Sequence, residues 1–277
     1  MTSTSRQLGY LILKEVFDDI VAAVADKLFQ WNGQTLQQLF LPPKVPKTSE
    51  ALTVLIHHNL VTFQECSRSG RVIYNISEDR VLSLLKFPRY LILCKTLFGD
   101  EGELIVEELF KLGQASLSTI MFKSAKRLYL AKKSSGDSIT ETMGDILKGL
   151  KTKFVELTDC QFLCRIPTPY TKDQPNPAIV ALPNLENVEE DLFKVPDMNF
   201  KAVKEALEKL DEDPDHELQL SGGDKVEENE TKILWRLNFE RFQREFRDQI
   251  IVLSVTRRID ALAGSLMRIL LNIMNDR

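Results

Sequence analysis

Three prolines within five positions, Pro42, Pro43 and Pro46, forbid helix ahead of Thr48, and the stretch beyond them is more narrowly specified than any other part of the chain. The Thr48 hydroxyl can cap the free N–H groups of a helix that carries Leu52, Leu55 and Ile56 on one side, so helix is predicted to start there. Asn59 tolerates the left-handed turn that ends a helix. Beyond it Val61 and Phe63 share one strand face, and Val72, Tyr74 and Ile76 share another. Cys66 to Arg71, with Gly70 among them, form the turn between the two strands.

A short helix running directly into a two-stranded ribbon is the last part of a winged helix, and the preceding residues supply the rest. From Gln7 to Gln30 apolar residues recur at helical spacing, with a break predicted near Phe17 where Asp18 and Asp19 can cap a second segment. Gln34 to Phe40 is a further short helix. Residues 1–84 therefore make one complete module.

The next stretch repeats the theme. After a connecting helix from Asp79 to Leu85, Asp100 and Glu103 stand in the positions of a capping box. The helix they open buries Ile105, Leu109 and Leu112 and turns Glu107 and Glu108 outward. A small helix over Leu117 to Met121 and a basic stretch come next, and Ser138 with Glu141 forms another capping box. Placing Asn59-Leu60-Val61 over Lys153-Phe154-Val155 sets Leu52 on Ile146, Ile56 on Leu150, Phe63 on Leu157 and Cys66 on Cys160. GQTLQQLF at Gly33 likewise parallels GQASLSTIM at Gly113. Residues 85–167 are predicted to be a second winged helix, with paired strands over 154–166.

Pro167 to Pro196 holds six of the eleven prolines, which marks 168–232 as a linker, first proline-rich and then acidic and in part disordered, with a helix over Phe200 to Leu210. Between Glu205 and Glu230 eleven carboxylates face only Lys209 and Lys225, a local charge of −9 within a total of −4, which leaves the remainder at +5. That balance permits contact with nucleic acid without requiring it. Residues 233–277 are strongly helical and are predicted to start a third winged helix that lacks its hairpin, leaving Leu262 to Met274 in need of a cover. The fold class is mainly α with small β-hairpins, in tandem winged-helix domains of which the third is incomplete.

No apolar run approaches the roughly 18 residues needed to cross a bilayer, and the opening MTSTSRQLGY has no export signal. Four cysteines among 277 residues do not make a disulfide scaffold, so a reducing compartment is expected. Cys160 and Cys164 lack the partners of a zinc site, and the adjacent His57 and His58 point about 100° apart on a helix. Ser221 to Lys225 lacks the spacing and the strand of a phosphate loop. Most carboxylates lie where nothing would hold an acid and a base in register. Neither catalysis, metal nor cofactor is expected.

The stretches RVLSLLKFPRY (Arg80 to Tyr90), GDEGELIVEELFKLGQ (Gly99 to Gln114), IHHNLVTF (Ile56 to Phe63) and FRDQIIVLSVTRRID (Phe246 to Asp260) resemble the RNA polymerase III subunit family that carries tandem winged helices and sits in the enzyme's dissociable three-subunit initiation subcomplex. That family is similar to the large subunit of TFIIE. The resemblance covers the chain from its first helix to its last apart from the linkers. It implies a non-catalytic nuclear protein that docks on the polymerase and on sister subunits and assists promoter recognition and DNA opening. The family continues past the third winged helix, so a short isoform or a fragment is expected here. Membrane and small-molecule partners are not expected.

The outward positions of the first recognition-type helix, Ser49, Glu50, Thr53 and His57, include no Lys or Arg, which argues against sequence-specific reading of DNA. The candidates for weak, non-specific contact are the wing cations Arg68 and Arg71, Lys123, Lys126, Arg127, Lys132 and Lys133, and Lys148 and Lys151, the last two partly offset by Asp145; a solvated loop accounts for the wing pair equally well, and a solvated face is the better account of the run from Lys123 to Lys133. From the resemblance, Pro88, Arg89, Tyr90, Gly102, Glu103, Glu107 and Glu108 are candidate partner contacts, although intramolecular packing is the slightly better account of them. The competing functional reading is a protein-binding winged-helix scaffold that does not touch nucleic acid.

Overall fold

The computed structural model describes residues 3–31, 33–42, 45–65, 70–135, 143–166, 192–196, 201–209 and 233–275. They fall into two compact units, Met1–Leu237 and Asn238–Arg277.

In the first unit α1 (Ser3–Val16) and α2 (Asp19–Gln30) pack together, separated as the sequence predicts near Phe17. Asp18 caps α2 by accepting the Val21 N–H at 2.7 Å. After β1 (Gln34–Thr35) come α3 (Leu36–Leu39), α4 (Thr48–His57) and the ribbon β2 (Val61–Glu65) and β3 (Val72–Ile76). The sheet order is β1-β3-β2, all antiparallel, with Phe63 opposite Tyr74. Apolar faces of α1, α2 and α4 meet around Leu13, Leu28, Leu39 and Leu55, which are fully buried.

Helix α4 starts where the prolines place it, but not by the expected cap. Lys47 is the N-cap, held at φ 53°, while the buried Thr48 hydroxyl donates backward to the Val45 carbonyl at 2.7 Å. Asn59 does adopt the left-handed conformation, at φ 58°. Arg80 on α5 (Glu78–Ser83) fastens that corner by donating to both the backbone and side-chain oxygens of Asn59.

A helical stretch, α6 (Phe87–Leu112), carries the chain into the second module. It is broken at Gly99, whose φ of 81° and ψ of −170° reverse the direction: Phe87 and Phe110 stack with centroids 3.5 Å apart, which a straight helix would hold about 35 Å apart. The capping box predicted at Asp100 and Glu103 does not form, because both carboxylates bind Lys95, at 2.8 and 3.0 Å. The small helix expected to end at Met121 instead continues through the basic stretch as α7 (Leu117–Ser135). The Ser138–Glu141 capping box lies outside the described residues.

α8 (Met143–Asp159) occupies the region where strand was predicted from 154. Its end defines the true repeat. Gln161, at φ 65°, matches Asn59; the Phe162 N–H reaches the Leu157 carbonyl at 2.9 Å as the Leu60 N–H reaches that of Leu55 at 2.9 Å. Leu60-Val61 therefore corresponds to Phe162-Leu163, eight positions further on than the sequence overlay placed it. β4 (Leu163–Arg165) then finds its partner far along the chain in β5 (Trp235–Leu237), with Arg165 opposite Trp235. Trp235 also bridges Ala115, so Ala115-β5-β4 reproduces the order β1-β3-β2. Buried Trp235 meets Phe154 edge-on at 5.1 Å. Residues 235–237, assigned from sequence to a third module, thus complete the second.

α9 (Lys201–Glu208), close to the helix predicted over 200–210, buries Val203, Ala206 and Leu207 and packs on α7 and α8. The second unit is a helical hairpin of α10 (Phe239–Arg258), capped by Asn238, and α11 (Ala261–Asn275).

Candidate nucleic-acid and partner surfaces

The two helices in the recognition position present little that could read a base edge. Ser49, Glu50 and Thr53 are exposed along α4, and Lys47 lies 3.6 Å from Glu50. His57 turns inward, its Nδ1 accepting from the Gln114 amide at 2.9 Å. On α8 the exposed positions are Asp145, Lys148, Thr152 and Asp159, and Lys148 is 3.7 Å from Asp145. Each face therefore carries acidic groups at least as numerous as its cations, which weakens attraction to phosphate.

The predicted cations with described side chains lie at the first wing, on α7 and on α8. Arg71 is exposed at the base of the first wing, whereas Arg68 lies outside the described residues. Lys123 is exposed on α7 and Lys126 half-buried on the same helix. Lys133 sits 5.6 Å from the Tyr129 ring, and the Lys132 side chain lies outside those described. Lys151 is half-buried on α8.

Arg127 is committed elsewhere: its guanidinium binds Glu107 at 2.7 Å and Glu108 at 2.9 Å, and Lys111 binds the same pair at 2.9 and 3.1 Å. This corrects two expectations together, since Glu107 and Glu108 face α7 rather than outward, and Glu108 is buried. Burial works to raise the Glu107 pKa, but hydrogen bonds from Arg127 and Lys111 outweigh it and the net shift is downward.

Among the candidate partner contacts, Tyr90 and Gly102 are buried. A Cβ on Gly102 would lie 2.4 Å from that of Phe98, so this glycine serves the reversal at Gly99. Glu103 is held by Lys95. Pro88 and Arg89 are exposed, as is Ile92 one turn along. The sequence reading missed Trp31, whose indole is 71% exposed beside an open cleft of about 410 Å³ lined also by Gln34, Gln38 and Leu41. An exposed Trp following an amphipathic helix was its available signal.

The two winged helices meet at a tight seam. Gly113, at φ 75°, closes α6 against the end of α4, where a Cβ would stand 3.0 Å from the His57 carbonyl and from the His58 ring. His58 is edge-on to Phe17 at 4.7 Å, and burial followed by the neighbouring His57 lowers its pKa to about 4. Phe110 packs on the first module's core. Among the described residues no group of three or more His, Cys, Asp or Glu side chains converges as metal ligands would; Cys160 is exposed, and Cys94 is buried with its thiol pushed up to about 12 by burial and then by Glu103.

Two helical modules, each finished by the same antiparallel strand order, define a tandem winged-helix protein. Residues 7–65 match the family described as RNA polymerase III subunit RPC82 helix-turn-helix domain, and residues 152–277 the family RNA polymerase III subunit RPC82. The chain is 34% identical over 282 residues to DNA-directed RNA polymerase III subunit RPC3 of Rattus norvegicus and 32% identical over 283 residues to that of Homo sapiens, in each case across 98% of this chain and 51% of the relative. The subunit of the same name from Danio rerio is 29% identical over 279 residues. The chain belongs to this family of RNA polymerase III subunits, and it spans about half the length of the curated relatives it matches.

Proposed function

We propose that this chain acts in the nucleus as a non-catalytic part of RNA polymerase III, docking on the polymerase and on sister subunits and assisting promoter recognition and DNA opening during initiation. Contact with DNA is light, salt-sensitive and indifferent to sequence. The observation that carries this reading is the composition of the α4 and α8 outward faces, whose acidic and neutral side chains leave phosphate contact to isolated cations such as Arg71. Docking is supported by exposed Trp31 beside its cleft and by Pro88, Arg89 and Ile92 on α6.

The same faces favour the second reading, a scaffold that uses winged helices as spacers. Association with polymerase III in a pull-down from nuclear extract, combined with crosslinking to promoter DNA in an initiation complex, separates the two. Retention on the polymerase without crosslinks and without any effect on opening selects the scaffold; no retention removes both. For the wing, two phosphate contacts give a log-log salt slope of roughly −2, and an Arg68→Ala/Arg71→Ala variant whose slope equals that of the intact protein discards those residues.

A further inference from the structure

We propose that the groove between α7 and α8 is a helix-binding site, and that α9 occupies it as an exchangeable ligand on a covalent tether rather than as part of the winged helix. The internal repeat sets α9 apart. In the first module β2 and β3 are joined through residues 66–71, and the sheet closes in the order β1-β3-β2. The second module reaches the same order, Ala115-β5-β4, but its paired strands are separated by residues 166–234, and α9 lies inside that insertion. The surface beneath it has grown as well, since α7 is 19 residues long where its counterpart α3 has 4. Among the described residues α9 packs on α7 and α8 and makes no comparable contact with α6 or with the two strands on either side of it in sequence. Its departure therefore breaks no strand pairing.

The contact has the chemistry of an amphipathic helix laid in a groove. Val203, Ala206 and Leu207, at i, i+3 and i+4, are buried, while Lys201, Lys204 and Glu205 are exposed on the other side. Three apolar side chains, one of them alanine, thus secure a helix of 8 residues. A helix of that length is not stable alone in water, so α9 folds as it docks and loses its helix when it leaves. The burial is slight beside the conformational entropy of ordering the segment, which puts the opening of α9 at the low end of the free energies within the module. The tether compensates. It supplies an effective concentration of up to about a millimolar, so a weak intrinsic affinity fills the groove. A partner helix with the same apolar triplet and a higher affinity takes its place.

Hydrogen exchange and peptide binding on the full 277-residue chain test this. Amides of 201–208 should exchange at least about tenfold faster than the buried amides of α7 and α8, through an opening that urea barely accelerates because it exposes little surface. A fluorescein-labelled peptide of residues 199–211 should bind a Val203→Asp/Leu207→Asp chain saturably and one to one. It should bind the wild-type chain at least about tenfold more weakly, since there the tethered helix competes. The peptide carrying the same two substitutions should bind neither. The variant chain gives up the stability that α9 lends the module and shows a lower urea midpoint, yet keeps its exchange protection in α7 and α8. Exchange of α9 in step with α7 and α8, loss of that protection in the variant, no saturable binding to the variant, or equal affinity for the variant and wild-type chains overturns the proposal.

Discussion

Replacing Gly113 with alanine tests whether the two winged helices share one rigid seam. At φ 75° and ψ −60° the residue sits where L side chains are strained, at about 1–3 kcal/mol. The added methyl would also stand 3.0 Å from the His57 carbonyl and from two atoms of the His58 ring. Neither is the free end of a flexible side chain, so α4 must shift, adding about 1–3 kcal/mol. The lower entropy of the unfolded alanine chain offsets about 0.4–1 kcal/mol, leaving a net loss of about 1–5 kcal/mol. Urea unfolding reads this loss, and spin labels at Thr53 and Thr152, on exposed faces of the two modules, read the geometry as a shifted or broadened distance. Gly149→Ala is the control. It lies inside α8 with only the Glu101 carboxylate at 3.1 Å, which can rotate away, so the outcome runs from neutral to about 1 kcal/mol more stable. A Gly113→Ala protein within about 0.5 kcal/mol of wild type, with its label distance unchanged, would refute the seam.

Other measurements bear on the same surfaces. The His58 pKa, lowered from 6.5 to about 4, makes its contribution complete above pH 6.5 and progressively lost as pH falls to about 4; the drop is at most about 3 kcal/mol and smaller after screening of a partly exposed ring, and urea midpoints against pH should flatten in His58→Gln. Arg127→Ala removes a partner of buried Glu108, so it should lower stability by about 1–2 kcal/mol while leaving the salt slope of any DNA binding unaltered. Trp31→Ala should weaken retention on the polymerase at least several-fold with little change in the urea midpoint, since the indole is mostly in water. Leu207→Asp should destabilise the second module, because α9 buries that side chain completely beside α7 and α8.

Features set by neighbours in sequence were legible without coordinates. The prolines before Thr48, the Asp18 cap, the left-handed Asn59 and the alternation from Val61 to Ile76 each act over a few residues, and together they specify the first winged helix. The paired glycines Gly33 and Gly113, both at positive φ, disclosed the repeat for the same reason. The second repeat was misplaced because Phe154, Val155 and Leu157 continue a helix while fitting equally well the alternation of a strand.

What tertiary structure alone decided are the partnerships between distant segments. Nothing near Trp235 announces that it will pair with Arg165 and Ala115, since a three-residue strand acquires its meaning from the ladder it joins. Arg127, a promising phosphate ligand as one of a run of cations, became a clasp for Glu107 and Glu108 once α6 and α7 came together. Sequence thus determined the module type, the Asp18 cap and the left-handed corner at Asn59, because backbone sterics and apolar periodicity operate over a turn or two. Only the folded chain determined which charges are spent internally and which strands close the second sheet, because those energies arise from groups far apart along the chain.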